Sequence, residues 1–216
     1  MPIMSSEMSA SIPKLILPGL GAIIRNDNLD FYGKCDETGR DMATRFVQAA
    51  KNAVPVVCGF PENQGKNGVV VAITKREVGF PILTIQIGEV NDPDSSYKND
   101  GKRGKYSDLA DRKAIVLQLN KDFVASSQNA TLPLGRRMLS ESGIEIPGGA
   151  IAVGEWIIST SAFKNPKMDT VTSVAIAMGM GLIGIDQAED IVHNPRVGCV
   201  NEFMLNEDKI LQPILH

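Results

Sequence analysis

Two runs of apolar and β-branched residues recur along this chain. Each folds back on itself at a glycine and is followed by a polar loop and then a helical period. The first run covers residues 69–73 (Val-Val-Val-Ala-Ile), turns at Glu77-Val78-Gly79 and returns over 81–87. The second covers 149–153, turns tightly at Gly154-Glu155 and returns over 156–161. Antiparallel partners accept a short turn, whereas parallel partners need a long crossover, so consecutive hairpins predict an antiparallel sheet.

The helical periods lie around these hairpins. Over residues 36–52, Met42, Phe46, Ala49, Ala50 and Ala53 repeat at helical spacing while Arg40, Arg45, Gln48 and Lys51 take the other side. Thr38 with Asp41 reads as a capping box at its start. Pro55 ends this helix, because a residue before proline leaves helical geometry. Residues 54–58 are then apolar and β-prone, which predicts a further strand. From Tyr106-Ser107 a second helix carries Ala110, Lys113, Ala114, Leu117 and Val124 on one stripe and closes at residues 126–129. Residues 134–142 read as a short helix. A third helix covers 170–183, capped at Asp169, and 186–192 adds a further turn stopped by Asn194-Pro195. The stretches 61–68 and 91–105 hold turn formers and charges with nothing to bury, so both read as loops. The expected fold class is α/β (α+β), a single antiparallel sheet of about five strands with helices packed on it.

No linker divides the chain. Residues 36–192 form the expected domain, 1–35 an N-terminal extension and 193–216 a C-terminal tail that docks on the body or on a neighbouring subunit. Residues 1–12 are rich in Met, Ser and Ala without a period, which predicts a loosely held start. Of the 216 residues 43% are hydrophobic, enough for a real core. A net charge of −3 supplies no basic field for nucleic acid, and 5% aromatics supply no stacking platform for single strands. Three widely spaced cysteines, Cys35, Cys58 and Cys199, fit reduced thiols in a cytoplasmic protein better than a disulfide framework or a zinc site. The apolar runs 15–24 and 171–185 fall short of the ~20 residues a membrane crossing needs, so no membrane contact is expected.

Several residues invite chemistry. Gly179-Met180-Gly181-Leu182-Ile183-Gly184 has the letters of a dinucleotide fingerprint, but that fingerprint needs a strand before it and a helix start after it. Here the glycines fall at a helix end, so close packing or termination is the better reading. Gly148-Gly149 at the mouth of the second hairpin can leave backbone amides open to an anion, or simply form a bulge entering the strand. Asp169 reads as a helix cap, a position where a ligand can also meet free amides. Lys113 is unusual, because it falls on the apolar stripe between Ala110 and Leu117. It must snorkel to the edge or pair inside. His193 and His216 are the only two histidines, which leaves a catalytic triad or a metal site hard to build; no metal is expected. The sequence shows no HExxH, Walker loop or serine elbow.

The order of elements resembles the haem-degrading-like family, which includes GlcG, HbpS and the C-terminal domain of PduO proteins. The matching stretches are Gly68-Val69-Val70-Val71-Ala72-Ile73 with Gly79, then Ala110-Asp111-Arg112-Lys113-Ala114, Gly148-Gly149-Ala150-Ile151, Ser159-Thr160-Ser161-Ala162 and Asp169. The match covers about residues 36–186 and rests on order rather than on any one motif. It departs where Thr74-Lys75-Arg76 replaces the family's frequent Val-Val-Asp, and where Asp169 stands without further acids. The resemblance implies a profilin-like fold, a homo-oligomer, and a small-molecule site for haem, a corrinoid or another ligand, with Lys113, Gly148, Gly149, Ser161 and Asp169 as its binding residues. Whether any reaction is catalysed stays open. The alternative is a non-enzymatic interaction or scaffold module with a vestigial pocket.

Overall fold

The computed structural model describes residues 22–27, 37–90, 105–139, 143, 145–163 and 165–193. Residues 1–21, 28–36, 91–104, 140–142, 144, 164 and 194–216, together with the side chains of 23–27, 37–40 and 105, lie outside this set. So do the expectations placed on them: the loose start, the Thr38 capping box, the Asn194-Pro195 stop and the docking tail.

The two hairpins form as the alternating turns demand. Strand β2 (Asn67–Lys75) pairs with β3 (Leu83–Glu89), with Val71 opposite Ile85, and β4 (Ala150–Val153) pairs with β5 (Trp156–Ser161), with Ile151 opposite Ile158. Gly154 takes φ 57° at the first of the two turn positions, the conformation a tight hairpin requires there. The hairpins join side by side through β2 and β5, again antiparallel, into one sheet. Strand β1 (Ala22–Asp27) lies along β3, so the order is β1-β3-β2-β5-β4. Strand β2 is buried along nearly its whole length. A strand covered on both faces reads as a continuous apolar run, which is why Val69 to Ile73 does not alternate. β4 ends the sheet, but its outer edge is not bare. Ala152 N–H donates to Val124 O, Ala125 bridges to Ile151, and Ala150 N–H donates to Ser126 Oγ.

Helices cover both faces. On one side α1 (Glu37–Cys58), α3 (Pro166–Gly179) and α4 (Ile185–His193) build the main core with Val69, Val71, Ile73, Ile85, Ile151 and Ile158. α3 is buried on every face from Met168 to Met178, the pattern of a helix enclosed by other elements. On the opposite side α2 (Lys105–Leu119) lays Ala110, Ala114 and Leu117 against Val70, Ala72, Ala150, Ala152 and Ile157.

Four expectations are corrected. α1 runs through Pro55 to Cys58, so residues 54–58 are helix and not a strand. Ala53, Val54 and Val57 are buried in the main core, and that packing outweighs the roughly 3 kcal/mol a proline costs inside a helix. α2 stops at Leu119 rather than reaching Val124, and the chain between it and Thr131 turns into a 3-10 helix over Ser126–Thr131. The short helix expected over 134–142 is a single 3-10 turn, Leu134–Arg136. α3 begins four residues earlier than its apolar stripe indicates: Asn165 is the cap, its side chain accepting from Lys167 N–H, and Asp169 lies one turn inside.

The glycine cluster at the end of α3 terminates a helix. Gly181 takes φ 68°, its N–H donates to Met178 O, and Leu182 N–H donates back to Ala177 O. These two bonds are the Schellman arrangement, with glycine at the position that needs the left-handed backbone. The side chain of Arg45 on α1 adds a donor to Met180 O.

Candidate functional site

The matched residues meet where β5 ends, β4 begins and the first turn of α3 passes. Lys113 starts on α2 and Asp169 on α3, helices on opposite faces of the sheet. The lysine reaches around the mouth of β4, and Nζ lies 2.7 Å from Asp169 Oδ2 and 2.8 Å from Thr160 O. It is 0% exposed, so snorkelling is ruled out and the charge pairs inside. Gly149 makes room for it. A Cβ at that residue would stand 2.5 Å from Lys113 Nζ and 2.7 Å from both Asp169 Cβ and Thr160 O, and the backbone there takes φ 133°, which L side chains rarely adopt.

The ladder between β4 and β5 ends at this point in a specific way. Thr160 N–H donates to Gly149 O at 2.9 Å, while the carbonyl of Thr160 takes the ammonium of Lys113. Ser173 on α3 donates to the same Gly149 O at 2.7 Å. With its one proton so committed, Ser173 accepts from Thr160 Oγ1 at 2.8 Å. Asp169 Oδ1 accepts from the backbone N–H groups of Ala162 and Phe163, each at 3.2 Å, and so holds the chain leaving β5. The carboxylate has three donors and the ammonium two acceptors, so hydrogen bonds beyond the ion pair offset part of the cost of burying both charges.

Burial pushes the Lys113 ammonium down from the ordinary lysine range, and Asp169 opposes this by attraction and hydrogen bonding. Burial likewise pushes the Asp169 carboxyl up, opposed by Lys113 and by the two amides. Both shifts have the same origin, the loss of water around a charge.

Gly148 stands beside Ser127 and Thr170, with room for a Cβ only 3.0 Å from Ser127 Cβ and 3.4 Å from Thr170 Oγ1. Ser161 follows Thr160 on the α2 side of the sheet. It is 1% exposed and its hydroxyl has no partner, and Ser127 Oγ is the other such atom among the described residues. Beside its apolar contacts, that face also buries polar residues, Thr84, Gln86, Ser107, Asp111 and Ser159, with Ser159 donating to Ala110 O at 2.6 Å.

Lys113, Gly149 and Asp169 are therefore in direct contact. Gly148 is adjacent through Thr170 and Ser127, and Ser161 is adjacent along the backbone. Asp169 is not a cap, and the amides it meets belong to Ala162 and Phe163 rather than to the glycine pair. Sequence reading missed Thr160 and Ser173. Ser173 carried a weak signal, since it lies four residues after Asp169 on the same helical face, but Thr170 and Thr172 stand beside it and blur the pattern. Thr160 acts through its carbonyl, which no side-chain pattern reports. His193 is exposed at the end of α4, and Met168, Met178 and Met180 are in the core on the other face. Among the described residues the junction thus offers no imidazole or thioether to a haem iron.

Among the described residues no helix is long and apolar enough to cross a membrane. The fold and site define an α+β protein with one antiparallel sheet, covered by helices and tied across one end by a buried ion pair. No family model, curated protein or solved structure matches the chain.

Proposed function

We propose that this is a small-molecule-binding protein of the haem-degrading-like type, working in a homo-oligomer on a profilin-like scaffold, with a tetrapyrrole such as haem or a corrinoid as the ligand class. The observation that carries the reading is the polar lining between α2 and the sheet. A face built only to seat a helix would be apolar, yet this one buries Thr84, Gln86, Ser107, Asp111, Ser159 and Ser161, and leaves Ser161 Oγ without a partner. Native structures rarely leave a buried hydroxyl unpaired, and a ligand group is one thing that pairs it. Recognition would then run through the ligand's polar periphery, since among the described residues no imidazole faces the junction.

A second reading has its own support. Lys113 and Asp169 are spent on each other and closed to solvent, as in a purely structural tie between α2 and α3. On that reading the protein is a non-enzymatic interaction module. Titration with haemin separates the two. A saturable Soret shift at one equivalent per chain supports ligand binding, and absorbance that rises without saturation supports the module.

A further inference from the structure

We propose a second polar site, for a small oxyanion such as a carboxylate or phosphate, between the first turn of α2 and the end of β5, with Ser161 and Ser107 as its hydroxyl donors. It rests on the small-molecule reading above and names the group by which that ligand is held. It also moves that group off Lys113, whose charge Asp169 already neutralises at 2.7 Å.

The placement follows from register. On β5 the side chains of one parity face α2: Ile157 packs with Ala114 and Leu117, and Ser159 Oγ donates to Ala110 O at 2.6 Å. Two residues of strand advance about 6.8 Å, and one helical turn about 5.4 Å. Moving from Ser159 to Ser161 therefore moves from Ala110 back to the first turn, at Tyr106 and Ser107. The cross-strand neighbour of Ser161 is Val70, which packs against Ala110 and Tyr106. Ser107 falls on the inward stripe with Ala110, Asp111 and Ala114, and is 6% exposed. Ser161 Oγ is thus a buried, unpartnered hydroxyl aimed at the start of a 15-residue helix. The positive end of the helix dipole favours an anion there, and hydroxyls can donate to it.

The acids of α2 are turned elsewhere. Asp108 holds Arg112 at 2.6 Å, and Asp111 Oδ1 accepts from Thr84 on β3, two strands away from β5.

The test uses the full chain and two probes, inorganic phosphate and acetate, followed by amide resonances. Saturable shifts are expected at Tyr106, Ser107, Asp108, Ser161 and Ala162, from one anion or both, the stronger naming phosphate or carboxylate as the natural group. Ser107→Ala with Ser161→Ala should weaken that binding at least tenfold. Ser161→Ala alone removes only an unpartnered hydroxyl, so it should keep the melting temperature and still weaken binding several-fold. No saturable shift at those amides with either anion overturns the proposal, as does a double variant that binds like the wild type. Haemin and its dimethyl ester separate this from the wider reading. Anion binding with no haemin binding sinks the tetrapyrrole and leaves the site. Haemin and ester binding equally well, with no anion shifts, sinks the site and leaves the tetrapyrrole.

Discussion

At the scale of single residues the junction is ruled by one glycine and one buried pair. Gly149, with no Cβ, lets the Lys113 ammonium sit against the end of the β4–β5 ladder. Gly149→Ala should cost about 3 kcal/mol or more, since backbone strain and overpacking act together there. Gly148→Ala meets only a tight contact with Ser127 and should cost about 1 kcal/mol. Urea unfolding of the two variants checks the contrast, and equal losses would mean that the space around Lys113 does not matter. Lys113→Met leaves Asp169 buried without its cation, and should cost about 3–5 kcal/mol. Lys113→Met with Asp169→Asn keeps an acceptor for Ala162 and Phe163 and removes both charges, so it should be more stable than Lys113→Met alone. A Lys113→Met variant that melts like the wild type but loses haemin would instead make the lysine a ligand residue.

At the scale of elements, packing decides where the helices stop. α1 passes Pro55 because Val54 and Val57 are held in the core, and Pro55 itself is exposed. Pro55→Ala restores a backbone N–H at an exposed site, and should stabilise by about 1–3 kcal/mol. A lower unfolding midpoint in that variant would show that the proline is needed for the turn at Gly59. α3 reaches its length for a different reason. Its N-terminus is set by Asn165, its C-terminus by Gly181, and both ends are local hydrogen-bond patterns. The hairpins likewise form from local turns, and only their joining through β2 and β5 depends on distant chain.

For the whole molecule, β5 is interior, flanked by β2 and β4 and buried from Ile157 to Ser161. It therefore offers no surface for assembly. Among the described residues the exposed large apolar side chains are Leu119, Leu134, Leu139 and Ile185, with Leu134 80% exposed at the tip of an excursion held by Arg137 and Glu145 at 3.0 Å. If a homo-oligomer forms through this excursion, light scattering of the wild type gives a multiple of 23.3 kDa, and Leu134→Asp shifts it toward one chain. A wild type that scatters as a single chain removes the oligomer from the proposal.

The sequence by itself determined the hairpins, the inward stripes of α1 and α2 and a helix end within the glycines of 179–184, because each depends on residues within a few positions of one another. It drew that end at 183 rather than at Gly179. It also marked Lys113 as a charge out of place. Only the tertiary structure decided what that charge meets. The partner, Asp169, is 56 residues away on the other face of the sheet, and Thr160 contributes a carbonyl that every residue type carries. The same holds for 54–58, where local preference reads strand and burial against α3 and the sheet makes helix. Short-range stereochemistry is written residue by residue, whereas the partner of a buried charge and the passage of α1 through Pro55 are settled by the free energy of the assembled core.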